Sequence, residues 1–271
     1  MDEQQPATAP LSHPAGGTGV GPEEPAGVPA GPDRTGGYPW ATWGPWAAIG
    51  ATLAALVLGL VLALPILALD GGTGDDLGTT ARIGIQVMTA IGFLAVPFLL
   101  AYNSNPGRFT GGHSPAGLVD GLRNAARRLG FVYFRPGNAL KWIGIALVAY
   151  ITFALVWAGI FGAPEQDDIA GDLGPVWTQI LLIALAAPLA EEICFRAMLF
   201  GGLRTRLSFP LAALAAGVIF GLLHYSTGWS TVPQLAALGF VFALIYEKTG
   251  SIWPPILLHV FNNAFVLATL N

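Results

Sequence analysis

Residues 179–206, QILLIALAAPLAEEICFRAMLFGGLRTR, set Glu191, Glu192 and Arg196 between two apolar stretches rather than in a polar loop. An ionised side chain at the centre of a membrane helix costs about 2.5–3.5 kcal/mol even on the lenient insertion scale. Three within six residues defeat insertion unless they face a protein interior or a wet cavity. Glu192 and Arg196 are four apart with the acid N-terminal, the favourable order for an intrahelical pair. Glu191 projects about 100° away around the helix and lacks that partner. One carboxylate is neutralised by structure, and the other is free for chemistry.

Other polar groups sit in similar surroundings. His224 ends the run AAGVIFGLLH, and His259 lies inside PPILLHVFNNAF. His259 and Asn263 share one helix face, and Asn262 lies about 100° from Asn263. A histidine and a carboxamide on one face supply the donors that oxyanion stabilisation needs. His13, in a Pro/Gly-rich leader, and His113, in a Gly-rich loop, read as solvated. Gly217 and Gly221 form a GxxxG pair, a packing signal for close helix approach. Cys194 reads as a small buried hydrophobe.

The whole chain sets the context. Of 271 residues only 10% are charged and 54% are hydrophobic, and the mean hydropathy is +0.61. Soluble domains average about 25% charged residues, so a soluble globular protein is excluded. The single cysteine excludes a disulfide framework, and a net charge of −4 excludes a nucleic-acid binder working by phosphate neutralisation. The expected fold is all-α: a polytopic transmembrane helix bundle with a disordered N-terminal tail. Residues 1–42 read as that cytoplasmic tail, too poor in apolar groups to offset ordering entropy. Residues 43–174 read as N-terminal transmembrane helices with a basic cytoplasmic loop, and 175–271 as a catalytic helical core. About seven apolar runs follow Trp43: Trp46–Leu69, Ile83–Tyr102, Leu140–Gly162, Val176–Leu203, Phe209–His224, Val232–Tyr246 and Trp253–Leu270. Trp40, Trp43, Trp46, Trp142, Trp177, Trp229 and Trp253 fall near their ends, as interfacial indoles do.

Basic residues orient the bundle. Arg108, Arg123, Arg127, Arg128, Arg135, Lys141, Arg204, Arg206 and Lys248 fall in alternate connections on one side. Arg82 stands alone on the other, among Asp70, Asp75, Asp76, Glu165, Asp167, Asp168 and Asp172. The positive-inside rule then puts the N-terminus in the cytoplasm and the C-terminus outside. Residues 118–134, LVDGLRNAARRLGFVYF, carry apolar groups at helical spacing beside arginines, a pattern for an interfacial helix.

Taken together, EEICFR (Glu191–Arg196), FGLLH (Phe220–His224) and HVFNN (His259–Asn263) resemble the EExxxR, FxxxH and HxxxN motifs of the CPBP intramembrane proteases. That family includes the type II CAAX prenyl endopeptidases and the bacteriocin-processing and abortive-infection-like relatives. The resemblance covers roughly Val176 to Leu270. It implies an intramembrane endopeptidase in which Glu191 activates water, His224 holds or polarises it, and His259 and Asn263 stabilise the oxyanion. Glu192 and Arg196 would fix the geometry and Phe220 would line the pocket. Family members have been described both as metalloproteases and as metal-free glutamate proteases; Glu191, His224 and His259 would be the ligands if zinc were bound. The HExxH zinc signature is absent. The implied partners are a peptide or membrane-protein substrate and the lipid bilayer, in a bacterial cell membrane. Two other classes fit the same residues: a non-proteolytic scaffold or partner-binding protein of this fold, and a transporter with a Glu/His proton relay. In straight, fully spanning helices Glu191 and His224 would miss each other by about 15 Å. Tilt, or a fourth helix extending into the cytoplasm past Arg206, is needed to bring them together.

Overall fold

The computed structural model describes residues 41–104, 115–164 and 170–270. The tail reading of residues 1–40, and the readings of His13, Trp40, Arg108, His113, Glu165, Asp167 and Asp168, lie outside those residues. Ala41 and Thr42, placed by the sequence at the end of the tail, contact the bundle: Ala41 is buried, and the exposed Thr42 hydroxyl accepts from the Arg128 guanidinium.

Every regular element among the described residues is helical. α1 is Pro45–Asp70, α2 Thr79–Asn103, α3 Pro115–Arg128 and α4 Pro136–Phe161. α5 is a continuous helical stretch over residues 176–204, α6 is Phe209–Leu223, α7 Val232–Thr249 and α8 Trp253–Leu270. Proline opens α1 and α4, where its missing N–H has no intrahelical acceptor to lose. Gly71 and Gly250 close α1 and α7 at φ 75° and 68°, the left-handed region that favours glycine.

Membrane packing inverts the usual pattern. α1 buries Ala48, Thr52, Ala55, Gly59 and Ala63, while Leu53, Val57, Leu60 and Leu64 stand exposed. Lipid is as apolar as leucine, so helices associate through small residues that let backbones close in. A Cβ on Gly92 would lie 2.2 Å from the Ala55 carbonyl oxygen, and one on Gly217 would lie 2.5 Å from that of Ala236. The GxxxG pair on α6 therefore packs against α7.

Among the described residues four helical stretches are long and apolar enough to cross a membrane: α1, α2, α4 and Trp229–Thr249, which contains α7. The expected count of about seven is not confirmed by these four. α6 has 15 residues, a rise of about 22 Å against a hydrocarbon core of about 30 Å. α8 carries His259, Asn262 and Asn263, and α5 carries Glu191, Glu192 and Arg196.

Neighbouring helices run antiparallel. Gly59 meets Thr89, Gly202 meets Ala48, and Gly221 meets Val232. Along α5 and α6, Phe195 meets Phe220 and Phe200 meets Phe209. α2, α5 and α7 therefore point the same way. At one end, Asn138 donates to the Lys248 carbonyl, Arg128 to that of Ser104, and the Ile252 N–H to that of Gly130. Trp43 is buried there, its indole donating to the Met198 carbonyl at 2.9 Å, so it braces the core rather than an interface. At the opposite end Arg82 pairs with Asp172 at 3.1 Å.

Candidate active site

α5 is not a uniform α-helix. Ile180–Ala186 and Glu192–Phe200 wind as π-helix on either side of the α-turn Ala187–Glu191. Such widened segments recur at functional sites, because they shift the register of side chains and carbonyls. Here the Ile183 carbonyl accepts from Asn263 Nδ2 at 2.9 Å, tying α8 to α5. Glu191 and Glu192 stand at the second junction and diverge. The Glu191 side chain is 15% exposed and that of Glu192 is 0% exposed.

Glu192 anchors an inner layer. One of its oxygens lies 3.2 Å from Arg196 Nε, and Oε1 accepts from His259 Nδ1 at 2.8 Å. The Arg196 guanidinium is buried between two rings, 4.3 Å from the Phe220 centroid and 5.0 Å from that of Phe242. Phe242 also stacks on His259, with centroids 4.6 Å apart. A buried charge is tolerated only when paired. Arginine answers the carboxylate, and the ring faces answer the arginine.

Above it lies an outer layer that faces the cavity. Glu191 Oε1 is 3.9 Å from His224 Nε2, and Oε2 is 3.7 Å from His259 Nε2. His224 Nδ1 lies 2.7 Å from the Phe220 carbonyl oxygen. A carbonyl only accepts, so Nδ1 carries the proton. His224 thereby turns Nε2 toward Glu191 as a lone pair when neutral. Both gaps exceed a direct hydrogen bond and suit one intervening water. Glu191, His224, His259, Asn263 and Phe220 line one cavity of about 520 Å³.

All the residues singled out in the three motifs thus come to one region. Asn263 spends one amide hydrogen on Ile183, and its oxygen accepts from Asn262 at 3.2 Å. Cys194 is fully buried, as read. The expected depth mismatch between Glu191 and His224 does not arise. α5 spans 29 residues, about 43 Å of α-helical rise and longer than the hydrocarbon core. Counted from the shared turn at 205–208, Glu191 and His224 lie about 20 and 22 Å along their helices. The sequence reading missed that Glu192 holds His259, and it missed Phe242. Neither Phe242 nor Ile183 carries a local signal.

Among the described residues no three His, Cys, Asp or Glu side chains are gathered to hold one metal ion. Glu191, His224 and His259, the ligands that the resemblance implies if zinc is bound, stand with carboxylate-to-imidazole separations of 3.9 and 3.7 Å.

Residues 173–265 match the family model described as type II CAAX prenyl endopeptidase Rce1-like. Through this segment the chain is similar to the CPBP family. Over 112 residues it is 38% identical to "Putative membrane peptidase YdiL" of Bacillus subtilis, covering 40% of this chain and 45% of that one. It is 31% identical over 100 residues to UPF0177 protein YxdF of Lactococcus lactis, covering 37% and 54%. It is 24% identical over 139 residues to the membrane-embedded CAAX protease MroQ of Staphylococcus aureus, covering 48% and 56%. The chain spans about half the length of the curated relatives it matches. No solved structure matches it significantly. The matched segment begins just before α5 and ends inside α8, so it contains Glu191, His224, His259 and Asn263. With its apolar helices, the chain is an integral membrane protein.

Proposed function

We propose that this protein is an intramembrane endopeptidase that hydrolyses a peptide bond in or beside the bilayer with a Glu191-activated water. The observation that carries this reading is the convergence of Glu191, His224 and His259 on one cavity. A water between Glu191 Oε1 and His224 Nε2 donates to both, and both polarise its oxygen toward a substrate carbonyl. Glu191 takes the proton as the water attacks, then passes it to the leaving amine. His259, with a proton on each ring nitrogen, donates from Nε2 to the developing oxyanion, and the free amide hydrogen of Asn263 provides a second donor. Glu192 supports that protonated imidazole through Nδ1. With His259 charged, Glu191, Glu192, Arg196 and His259 sum to zero. Proton transfer to Glu191 moves negative charge onto the oxyanion and leaves the sum unchanged.

The substrate is a peptide or a membrane protein of a bacterial cell membrane. The basic residues gathered at the Lys248 end favour a cytoplasmic N-terminus and an outer C-terminus. A proton-relay transporter strings its ionisable groups between the two faces; their collection on a single cavity favours hydrolysis, and so does the retention of every motif residue over a non-proteolytic scaffold.

The test is single-turnover cleavage of membrane-anchored peptides in nanodiscs. Glu191→Gln keeps shape and removes the proton acceptor, so cleavage should vanish while the protein stays folded. Full activity in this variant refutes the mechanism.

A further inference from the structure

The cavity walls are helical stripes. α2 contributes Gln86, Thr89, Ala90 and Phe93, and α7 with its preceding turn contributes Thr231, Gln234, Leu235 and Leu238. α2 and α7 run parallel, so both stripes carry their polar residues at the same end and their apolar residues at the other. Thr231 is committed to the Gly228 carbonyl. Neither the Gln86 nor the Gln234 carboxamide is engaged in any hydrogen bond given by the structure, yet both face the cavity. Among the described residues no lysine or arginine lines it, and Glu191 is the one carboxylate that does.

Volume limits what can enter. An α-helix with side chains is about 10 Å across, a section of about 80 Å². A cavity of about 520 Å³ therefore holds little more than one helical turn. A membrane helix reaching Glu191 must unwind first. Unwinding strips its backbone N–H and C=O groups of their partners, and each unsatisfied group costs several kcal/mol away from water. Two unengaged carboxamides, each with donors and an acceptor, are what such a backbone needs.

We infer that Gln86 and Gln234 dock the main chain of an unwound, uncharged, internal segment of the substrate. A chain end is disfavoured, because among the described residues no cation lines the cavity to receive a free carboxylate. The inference rests on the proteolytic reading above.

The experiment uses the full-length protein in nanodiscs and two peptide libraries, one blocked at both ends and one with free C-termini. The blocked library should yield cleaved sequences, and a free carboxylate within three residues of the scissile bond should lower kcat/KM at least tenfold. Gln86→Leu and Gln234→Leu should each raise KM about tenfold with kcat retained, the scale of one lost hydrogen bond in a dry site. Ester replacement of single substrate amides then removes one backbone N–H at a time. At the docked position its cost should be about tenfold on the parent and near onefold on the matching leucine variant. Should a variant fail to fold, the ester series on the parent decides, since one position must show the tenfold loss. Additive ester and leucine effects, an ester series with no sensitive position, or preferred cleavage of free-acid peptides would overturn this inference while leaving proteolysis standing. Cleavage of neither library would overturn the proteolytic reading itself.

Discussion

Arg196→Met removes a fully buried guanidinium and puts in a flexible apolar chain of comparable length. The Glu192 carboxylate would then stay at zero exposure with only His259 as partner. Breaking one side of a buried ion pair costs about 3–5 kcal/mol, and Glu191, Glu192 and His259 are then left with one negative charge in excess. Lost cation–π contact with Phe220 and Phe242 belongs to the same disruption and adds about 1 kcal/mol or less, since methionine sulfur also packs well on rings. A loss of about 3–5 kcal/mol is the expected outcome, read by denaturant titration in detergent micelles. The double variant Glu192→Gln/Arg196→Met removes both charges and leaves a carboxamide oxygen to accept from His259 Nδ1. It should recover most of the loss, as neutral replacements of buried pairs do. A single variant within 1 kcal/mol of the parent would refute the argument. So would a double variant as unstable as the single one, because the cost would then come from packing and not from a stranded charge.

Asn263→Ala should keep measurable cleavage, slowed by about 10²–10³-fold as for loss of an oxyanion donor, where Glu191→Gln leaves none; equal residual rates would remove Asn263 from that role. Cleavage by the parent should persist in a zinc chelator, and loss of activity restored by added zinc would reassign Glu191, His224 and His259 as ligands. Gly217→Val drives a branched side chain into the Ala236 carbonyl, 2.5 Å from the first added carbon, and should destabilise by about 1–3 kcal/mol in the same titration; an unchanged midpoint would mean that the α6–α7 contact is loose. A thiol placed by Asp76→Cys should label from outside intact cells, and one placed by Arg127→Cys only after permeabilisation, with buried Cys194 silent throughout; the reverse pattern would invert the orientation.

Much of this was legible in one dimension because the bilayer is a strict solvent. Where nearly every residue must be apolar, each exception has a cause, and Glu191, Glu192, Arg196, His224, His259 and Asn263 announced themselves as exceptions. The pairing of Glu192 with Arg196 followed from four-residue spacing alone, and Glu191 emerged as the acid left over. Helix ends were readable within a few residues, because proline, glycine and the loss of apolar character mark them locally. The number of spans stayed open, because length and apolar character along a run do not say whether its helix crosses the bilayer.

Tertiary structure alone decided three matters. It set the common depth of Glu191 and His224, since depth follows from the long α5 and its turn into α6, and the sequence shows lengths without a shared origin. It joined Glu192 to His259 across 67 residues of chain, a contact made by the antiparallel approach of α5 and α8. And it placed Phe242, unremarkable in an apolar run, over both an imidazole and a guanidinium. Spacing along a helix reports only contacts within that helix. Those that orient a reacting group come from neighbouring helices, whose approach is fixed by how closely small residues let the backbones meet.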